Sequence, residues 1–368
     1  MKYIDCTIDE CVDRNRNRKI YVFGAGGNIR FYESSPLKQL KDQVAGILDN
    51  GNITALSLFG REIPVHKPEA VKDEENCAVI ITTSIHMADM FGQLKQMGLP
   101  DSVEVYIYPL MTLRDDHLLT EEEKRILFSE SGKQRIPKVI HSFWFSGTEK
   151  PKEYTDCIDS WKRYCPDYEI REYNADNYDT EKHPFLKKAV ETGAWAYATD
   201  YARLDVLSRE GGIYLDMDVE ILKPVDFLLK HKGVFSFFSD GGIDLAAFMA
   251  APDNPIPARL LKLYDNVRIP ETKKGFEAFF QPLYVLRELE RCGVDMNGSF
   301  QEVDGTLFLP RYLMMPLDVA VYEQNDNEDT FMVHHANAGW KEESYGESKA
   351  RRNRAFCREL AEKEHTTT

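Results

Sequence analysis

Apolar residues recur along this chain in two rhythms. The short runs KIYVFG (19–24), VAGILDN (44–50), CAVIITTS (77–84) and VEVYIYP (103–109) are compact and β-rich, and each closes on a turn former, a carboxylate or a small polar residue. Between them, GAGGNIRFYESSPLKQL and the stretch from about His86 to Met97 carry helical spacing. Strands alternating with helices predict a small Rossmann-like parallel α/β domain over residues 1–118. TEEEKRILFSESGKQ (120–134) reads as a solvated connecting helix, so 119–135 is assigned as linker. A second α/β unit opens at IPKVIHSFWF (136–145). It runs through a helix near Trp161, a strand YEIREY (168–173) and a helix from about Trp195 to Glu210. It is expected to extend to residue 345. ESKARRNRAFCRELAEKEHTTT then forms a charged helical tail with a frayed end, 346–368.

One run breaks the pattern. GGIYLDMDVEILKP, Gly211 to Pro224, has apolar residues at Ile213, Leu215, Met217, Val219 and Ile221, as a strand buried on one side should. Asp216 and Asp218 share the other face. Adjacent carboxylates repel, and burial adds a desolvation cost. A hard divalent cation, Mg²⁺ or Mn²⁺, reverses that balance, with substrate phosphates completing its oxygen shell. One helix earlier, Asp200 and Arg203 are spaced i, i+3 in AWAYATDYARLDVLSREGG and share a helix face. They form either a helix-stabilising ion pair or a pair at a cleft rim that meets sugar hydroxyls and a phosphate.

Composition narrows the function. The chain has 368 residues, 43% hydrophobic, with 46 basic against 61 acidic side chains and a formal net charge of -15. No basic footprint for nucleic acid is present. The cysteine count of 7 is odd, and no CxxC occurs. Reduced thiols and a cytoplasmic setting follow as expectations, with peripheral contact at the inner face of a membrane left open. The N-terminus lacks a signal-type apolar core, and no run is long enough to span a bilayer.

In the first domain Gly24, Gly26 and Gly27 lie between a strand and a helix, and Asp49 lies 25 residues beyond Gly24. This approaches a dinucleotide fingerprint, but Ile29 occupies the third glycine position. The turn is a candidate phosphate-binding turn or a plain strand-to-helix connection. The domain resembles the small nucleotide-binding-type modules found at the N-terminus of bacterial sugar-modifying enzymes such as sugar O-acyltransferases.

Taken together, IPKVIHSFWFSG, SWKRYCPDYEI, ATDYARLDVLSREGGIYLDMDVEILKPVDFLL and HHANAGW resemble the family 32 glycosyltransferases. Those include initiating mannosyltransferases and capsular polysaccharide enzymes, with the glucosyltransferase domains of clostridial toxins as distant relatives. The resemblance covers about residues 136–341. It implies a GT-A fold, a nucleotide-sugar donor (a UDP-sugar), a divalent metal, retention of configuration and a glycan or lipid-linked glycan acceptor. By motif, Trp144 is the aromatic that stacks on the donor base, and Asp200 and Arg203 are donor-sugar contacts. Asp216 and Asp218 are ribose and metal ligands. His334 and His335 are the histidine pair of a C-terminal loop that Trp340 closes, with His335 expected at the metal. Gly339 stands where the family often has a serine ligand. Asp244, in GGIDLAAFMAAPDNP, is placed near the reacting carbon. The expected catalytic set is therefore Asp200, Arg203, Asp218 and Asp244. Two other readings compete: a nicotinamide-dependent oxidoreductase using the glycine turn, and a sugar-nucleotide-binding protein without turnover.

Overall fold

The computed structural model describes the chain except residues 28, 115–116, 130, 240, 277–278, 280, 319–320, 322, 337–342 and 365–368. Its first part contains β1 (Lys2–Tyr3), α1 (Ile8–Asn15), β2 (Lys19–Phe23), α2 (Ile29–Ser34), β3 (Val44–Leu48), β4 (Ala55–Leu58), β5 (Arg61–His66), β6 (Cys77–Ile81), α3 (Met87–Gln96), β7 (Glu104–Ile107) and α4 (Tyr108–Arg114). The seven strands form one sheet in the order β1-β7-β6-β2-β3-β5-β4. Every pair is parallel except the β4–β5 hairpin. Ile20, Val22, Ala78 and Ile80 enter one apolar cluster, and Tyr21, Phe23, Val79 and Ile81 enter another. Burial on both faces is why these strands read as continuous apolar runs. The capping box of Thr7 and Glu10, which starts α1, satisfies two otherwise orphaned backbone donors.

The second part follows α5 (Glu121–Phe128), whose capping box of Thr120 and Glu123 fits the expected connecting helix. Its elements are β8 (Val139–Phe143), α6 (Lys152–Tyr164), β9 (Glu169–Tyr173), α7 (Pro184–Glu191), α8 (Trp195–Glu210), β10 (Gly212–Leu215), β11 (Val219–Ile221), β12 (Gly233–Phe237) and β13 (Ile243–Ala250). Next come α9 (Pro255–Leu261), α10 (Lys273–Phe276), α11 (Gln281–Arg291), β14 (Gln301–Val303), β15 (Thr306–Leu309), the short pair β16 (Leu317–Asp318) and β17 (Glu323–Gln324), β18 (Met332–His334) and α12 (Glu343–Glu364). The main sheet runs β14-β15-β12-β13-β10-β8-β9 and is mixed: β8–β9, β8–β10 and β12–β15 are parallel, while β13 is antiparallel to both its neighbours. The α/β class expected from the pattern is what the structure has.

Two features depart from the sequence expectation. The run from Gly211 to Pro224 is two strands. β10 ends at Leu215, residues 216–218 turn, and β11 leaves the main sheet to pair with β18. The alternation survives the break, because Ile213, Leu215, Met217, Val219 and Ile221 all enter one cluster while Tyr214 enters the other. The tail also differs. α12 docks on the first sheet's layer: Phe356 packs on Phe91 at 5.4 Å, Leu360 is 7% exposed, and Asn353 Nδ2 donates to the Ser84 carbonyl at 3.0 Å. Its apolar residues at 356, 357 and 360 make a short stripe that charge in the sequence obscured. The expected frayed end, 365–368, lies outside the described residues. Among the described residues no helix is long and apolar enough to cross a membrane.

The two sheets share an apolar cluster that runs from α1 and α2 to α11 and β12. Polar ties cross the same boundary: Ser34 to Glu290 at 3.0 Å, Lys38 to Asp295 at 3.1 Å, and Thr112 Oγ1 to the Ser239 carbonyl at 2.8 Å.

Candidate active site

The site is built where β10 ends. Gly211 and Gly212 have φ of +66° and +108°, conformations that disfavour a side chain. A Cβ on Gly212 would lie 2.8 Å from both His141 Nε2 and the Val139 carbonyl. These glycines let β10 enter between β8 and β13. His141 fills the space left, with its ring nitrogens 3.0 Å from the Tyr173 hydroxyl and from the Gly211 carbonyl. Burial lowers its pKa and keeps it neutral, so it acts as a pin rather than a charge.

The backbone of Asp216 still donates to the Ala246 carbonyl at 2.7 Å, and the Val219 amide closes the turn onto the Asp216 carbonyl at 3.1 Å. β11 then pairs with β18 in a register that sets Val219 against His334. This pairing brings a histidine from 116 positions further on beside Asp218, and His334 Nε2 lies 3.5 Å from Asp218 Oδ1. One ligand atom each from Asp216, Asp218 and His334 lies within 4.8 Å of the others.

Around this trio the charges are unequal. Arg203, 8% exposed, ion-pairs with Asp200 and lies 3.7 Å from Asp216 Oδ1. Its Nη1 donates to the Leu245 carbonyl at 2.8 Å, and its guanidinium sits 5.4 Å over the Tyr214 ring. Arg203 therefore lies beneath the acidic pair, deeper than a cleft rim. Tyr214 donates its hydroxyl to Asp216. Asp244 Oδ2 lies 2.7 Å from His334 Nδ1, and its Oδ1 accepts the Ala246 amide at 2.8 Å. Four carboxylates, from Asp200, Asp216, Asp218 and Asp244, thus face two cationic side chains, Arg203 and His334.

The titration behaviour records that excess. Burial pushes the Asp216 carboxyl up and Asp218 adds to it, with Arg203 and His334 pulling the other way. Burial opposes charge on His334, but Asp244 and Asp218 outweigh it and hold the imidazole at about 10. Burial likewise opposes charge on Asp244, yet His334 and the Ala246 amide hold it below the usual carboxylate range. The carboxylates thus favour positive charge at His334, either a proton on its ring or a cation bound by it.

Trp144 directly follows β8, with its amide on the Tyr173 carbonyl and its Nε1–H donated to the Thr148 carbonyl at 2.7 Å. Its ring meets Tyr154 edge-on at 5.6 Å and 83°. The Tyr154 hydroxyl is pushed up to about 12 by burial and then by the charges of Asp218 and Asp216. Sequence reasoning named neither Tyr154 nor Tyr214. Tyr214 lies two residues before Asp216 on the same face of the run, and Tyr154 had no motif to mark it.

His335 was expected at the metal. Its side chain lies 3.1 Å from Glu220 Oε2, and its backbone amide donates to the Asp218 carbonyl at 3.0 Å. His334 occupies the trio instead. Choosing between adjacent histidines needs the β11–β18 register, which no local signal supplies. Trp340, Gly339 and Asn337 lie outside the described residues.

The glycine turn of the first domain has a different character. Gly24 has φ +114°, while a Cβ on Gly26 or Gly27 would meet nothing within 4 Å. Asp49 accepts the Ala25 amide at 3.0 Å and the Gly51 amide at 2.6 Å. Helix α2, which follows, has only 6 residues. The turn's donor is already matched by a carboxylate.

Comparison with known proteins agrees with the second half. Residues 151–235 match the family model described as the glycosyltransferase sugar-binding region containing DXD motif. Asp216-Met217-Asp218 falls within that stretch. An uncharacterized glycosyltransferase of Acanthamoeba polyphaga mimivirus is 30% identical over 139 residues, covering 33% of this chain and 52% of that protein. The chain thus spans about half the length of that curated relative. Two solved structures are distantly similar. PaToxG glycosyltransferase is 17% identical with a TM-score of 0.32, covering 49% of this chain and 73% of its own. A glycosyltransferase involved in the glycosylation of the major capsid of PBCV-1 is 14% identical with a TM-score of 0.33, covering 57% and 98%.

Proposed function

We propose that this chain is a metal-dependent glycosyltransferase whose second α/β unit, of GT-A type, transfers a hexose from a nucleotide-diphosphate sugar, a UDP-sugar, to a glycan or lipid-linked glycan acceptor with retention of configuration. The observation that carries this is the convergence of Asp216, Asp218 and His334 at the carboxyl end of β10, inside and beside the sugar-binding region, with negative charge in excess. Two carboxylates and one imidazole suit Mn²⁺, and Mg²⁺ less well, because imidazole is a better ligand for the former. The donor set therefore fits the cation that the motif implies. When bound, that cation offsets charge on the leaving diphosphate.

The remaining roles belong to the chain. Asp216, Asp218 and His334 hold the cation, replacing the assignment of His335. Asp200 accepts sugar hydroxyls while Arg203 fixes its position. Trp144, held by Thr148 and backed by Tyr154, offers a ring face to the base. With no side chain among the described residues placed as an evident nucleophile, catalysis rests on positioning, and the departing phosphate oxygen takes the acceptor proton. The first domain, residues 1–118, supports this unit rather than carrying chemistry of its own.

The test is a panel of nucleotide sugars incubated with the purified chain, with and without Mn²⁺. The proposal predicts hydrolysis of one UDP-sugar that EDTA stops and Mn²⁺ restores. Donor turnover that is indifferent to EDTA would contradict the metal assignment, and no turnover of any donor would favour a binding protein.

A further inference from the structure

Asp244 was expected near the reacting carbon, but its side chain is engaged elsewhere. It stands at the start of β13, opposite Ser236 of β12, with 13% of its side chain exposed. One oxygen is fixed by the Ala246 amide at 2.8 Å, and the other lies 2.7 Å from His334 Nδ1. The far nitrogen of the same ring, Nε2, faces Asp218 at 3.5 Å. The order along the line is backbone amide, carboxylate, imidazole, carboxylate pair.

We infer that Asp244 is the positioning residue of the cation site: it receives the Nδ1 hydrogen of His334, and so fixes the ring's orientation and leaves Nε2 directed at the site between Asp216 and Asp218. A ligating histidine commonly donates its second ring N–H to such a carboxylate, and losing that partner typically weakens metal binding 10–100-fold. Two separate sheets meet in this contact. β13 lies beside β10, which delivers Asp216, whereas His334 arrives on β18, which among the described residues pairs with β11 alone. The Asp244–His334 bond ties the β11–β18 ribbon to the main sheet at the metal ligands. This inference rests on the metal reading above.

The experiment titrates Mn²⁺ alone into the full chain, without donor, following free Mn²⁺ by electron paramagnetic resonance. Wild type, Asp244→Asn and Asp244→Ala are compared, with circular dichroism as a folding check. Asp244→Ala is expected to weaken Mn²⁺ binding about 10–100-fold and Asp244→Asn by less, since the amide oxygen still accepts a hydrogen bond. Donor hydrolysis by both variants should recover when Mn²⁺ is raised to saturation. If Asp244→Ala does not fold, Asp244→Asn carries the test. Folded variants that bind Mn²⁺ within twofold of wild type, yet lose hydrolysis that excess Mn²⁺ does not rescue, would overturn the inference and return Asp244 to the sugar. Wild type that binds no Mn²⁺ would overturn it too. That outcome is recognisable from the wild-type arm, because it removes the metal reading itself.

Discussion

The turn after β2, which meets Asp49 from the end of β3, and the turn after β10, which carries Asp216 and Asp218, both leave the carboxyl end of a strand beside a carboxylate. In the first, Asp49 is matched by two backbone amides within hydrogen-bond reach. Those amides meet its carboxylate locally, and a Cβ on Gly26 or Gly27 would enter open space. In the second, Asp216 and Asp218 lie beside each other, Asp216 is pushed up by burial, and the nearest counter-charges come from α8 and β18. A carboxylate at a strand-end turn is thus most informative when it is buried beside another carboxylate. Unbalanced burial of charge marks the site, not the spacing of glycines.

The comparison can be broken first at Arg203. Arg203→Met leaves Asp200 and Asp216 without their buried cation, and breaking a buried pair in this way costs about 3–5 kcal/mol. Chemical denaturation should show that loss, and added Mn²⁺ should restore part of it. A loss under ~1 kcal/mol would mean that the acidic cluster is better hydrated than the structure indicates.

The two sets of glycines give the next contrast. Gly212→Ala forces a side chain into a positive φ and against His141 and Val139, which should cost about 1–3 kcal/mol in strain alone. Gly26→Ala meets no neighbour, so thermal melting should move little, or upward by the ~0.4–1 kcal/mol that a stiffer unfolded chain provides. A large loss of donor turnover in a well-folded Gly26→Ala chain would show that the first turn holds a ligand after all.

Asp49 gives the last arm of the comparison. Asp49→Asn should reduce stability by about 1 kcal/mol through weaker bonds to Ala25 and Gly51, with hydrolysis within about twofold of wild type. Melting curves and initial rates read the two effects separately.

Much of this was legible from sequence because it is local. The strand runs at 19–24 and 77–84, the helix from Trp195 and the Asp200–Arg203 pair all depend on residues within one or two turns of each other. The alternation that put Asp216 and Asp218 opposite the apolar set also survives the break in the strand. What was not legible depends on distant pairing. The β11–β18 register decides between His334 and His335, and β13 beside β10 places Asp244 against His334. α12 looked solvated because its few apolar residues are spaced among charges, and only the surface of α3 reveals them as a docking stripe.

The central claim is that His334, and not His335, completes the cation site with Asp216 and Asp218. Mn²⁺ titration of wild type, His334→Ala and His335→Ala tests it most directly. The account predicts at least tenfold weaker binding for His334→Ala. It predicts a change within about twofold for His335→Ala, whose partly exposed pair with Glu220 is worth about 0–1 kcal/mol. The opposite order, with His335→Ala losing the metal and His334→Ala keeping it, would contradict the account.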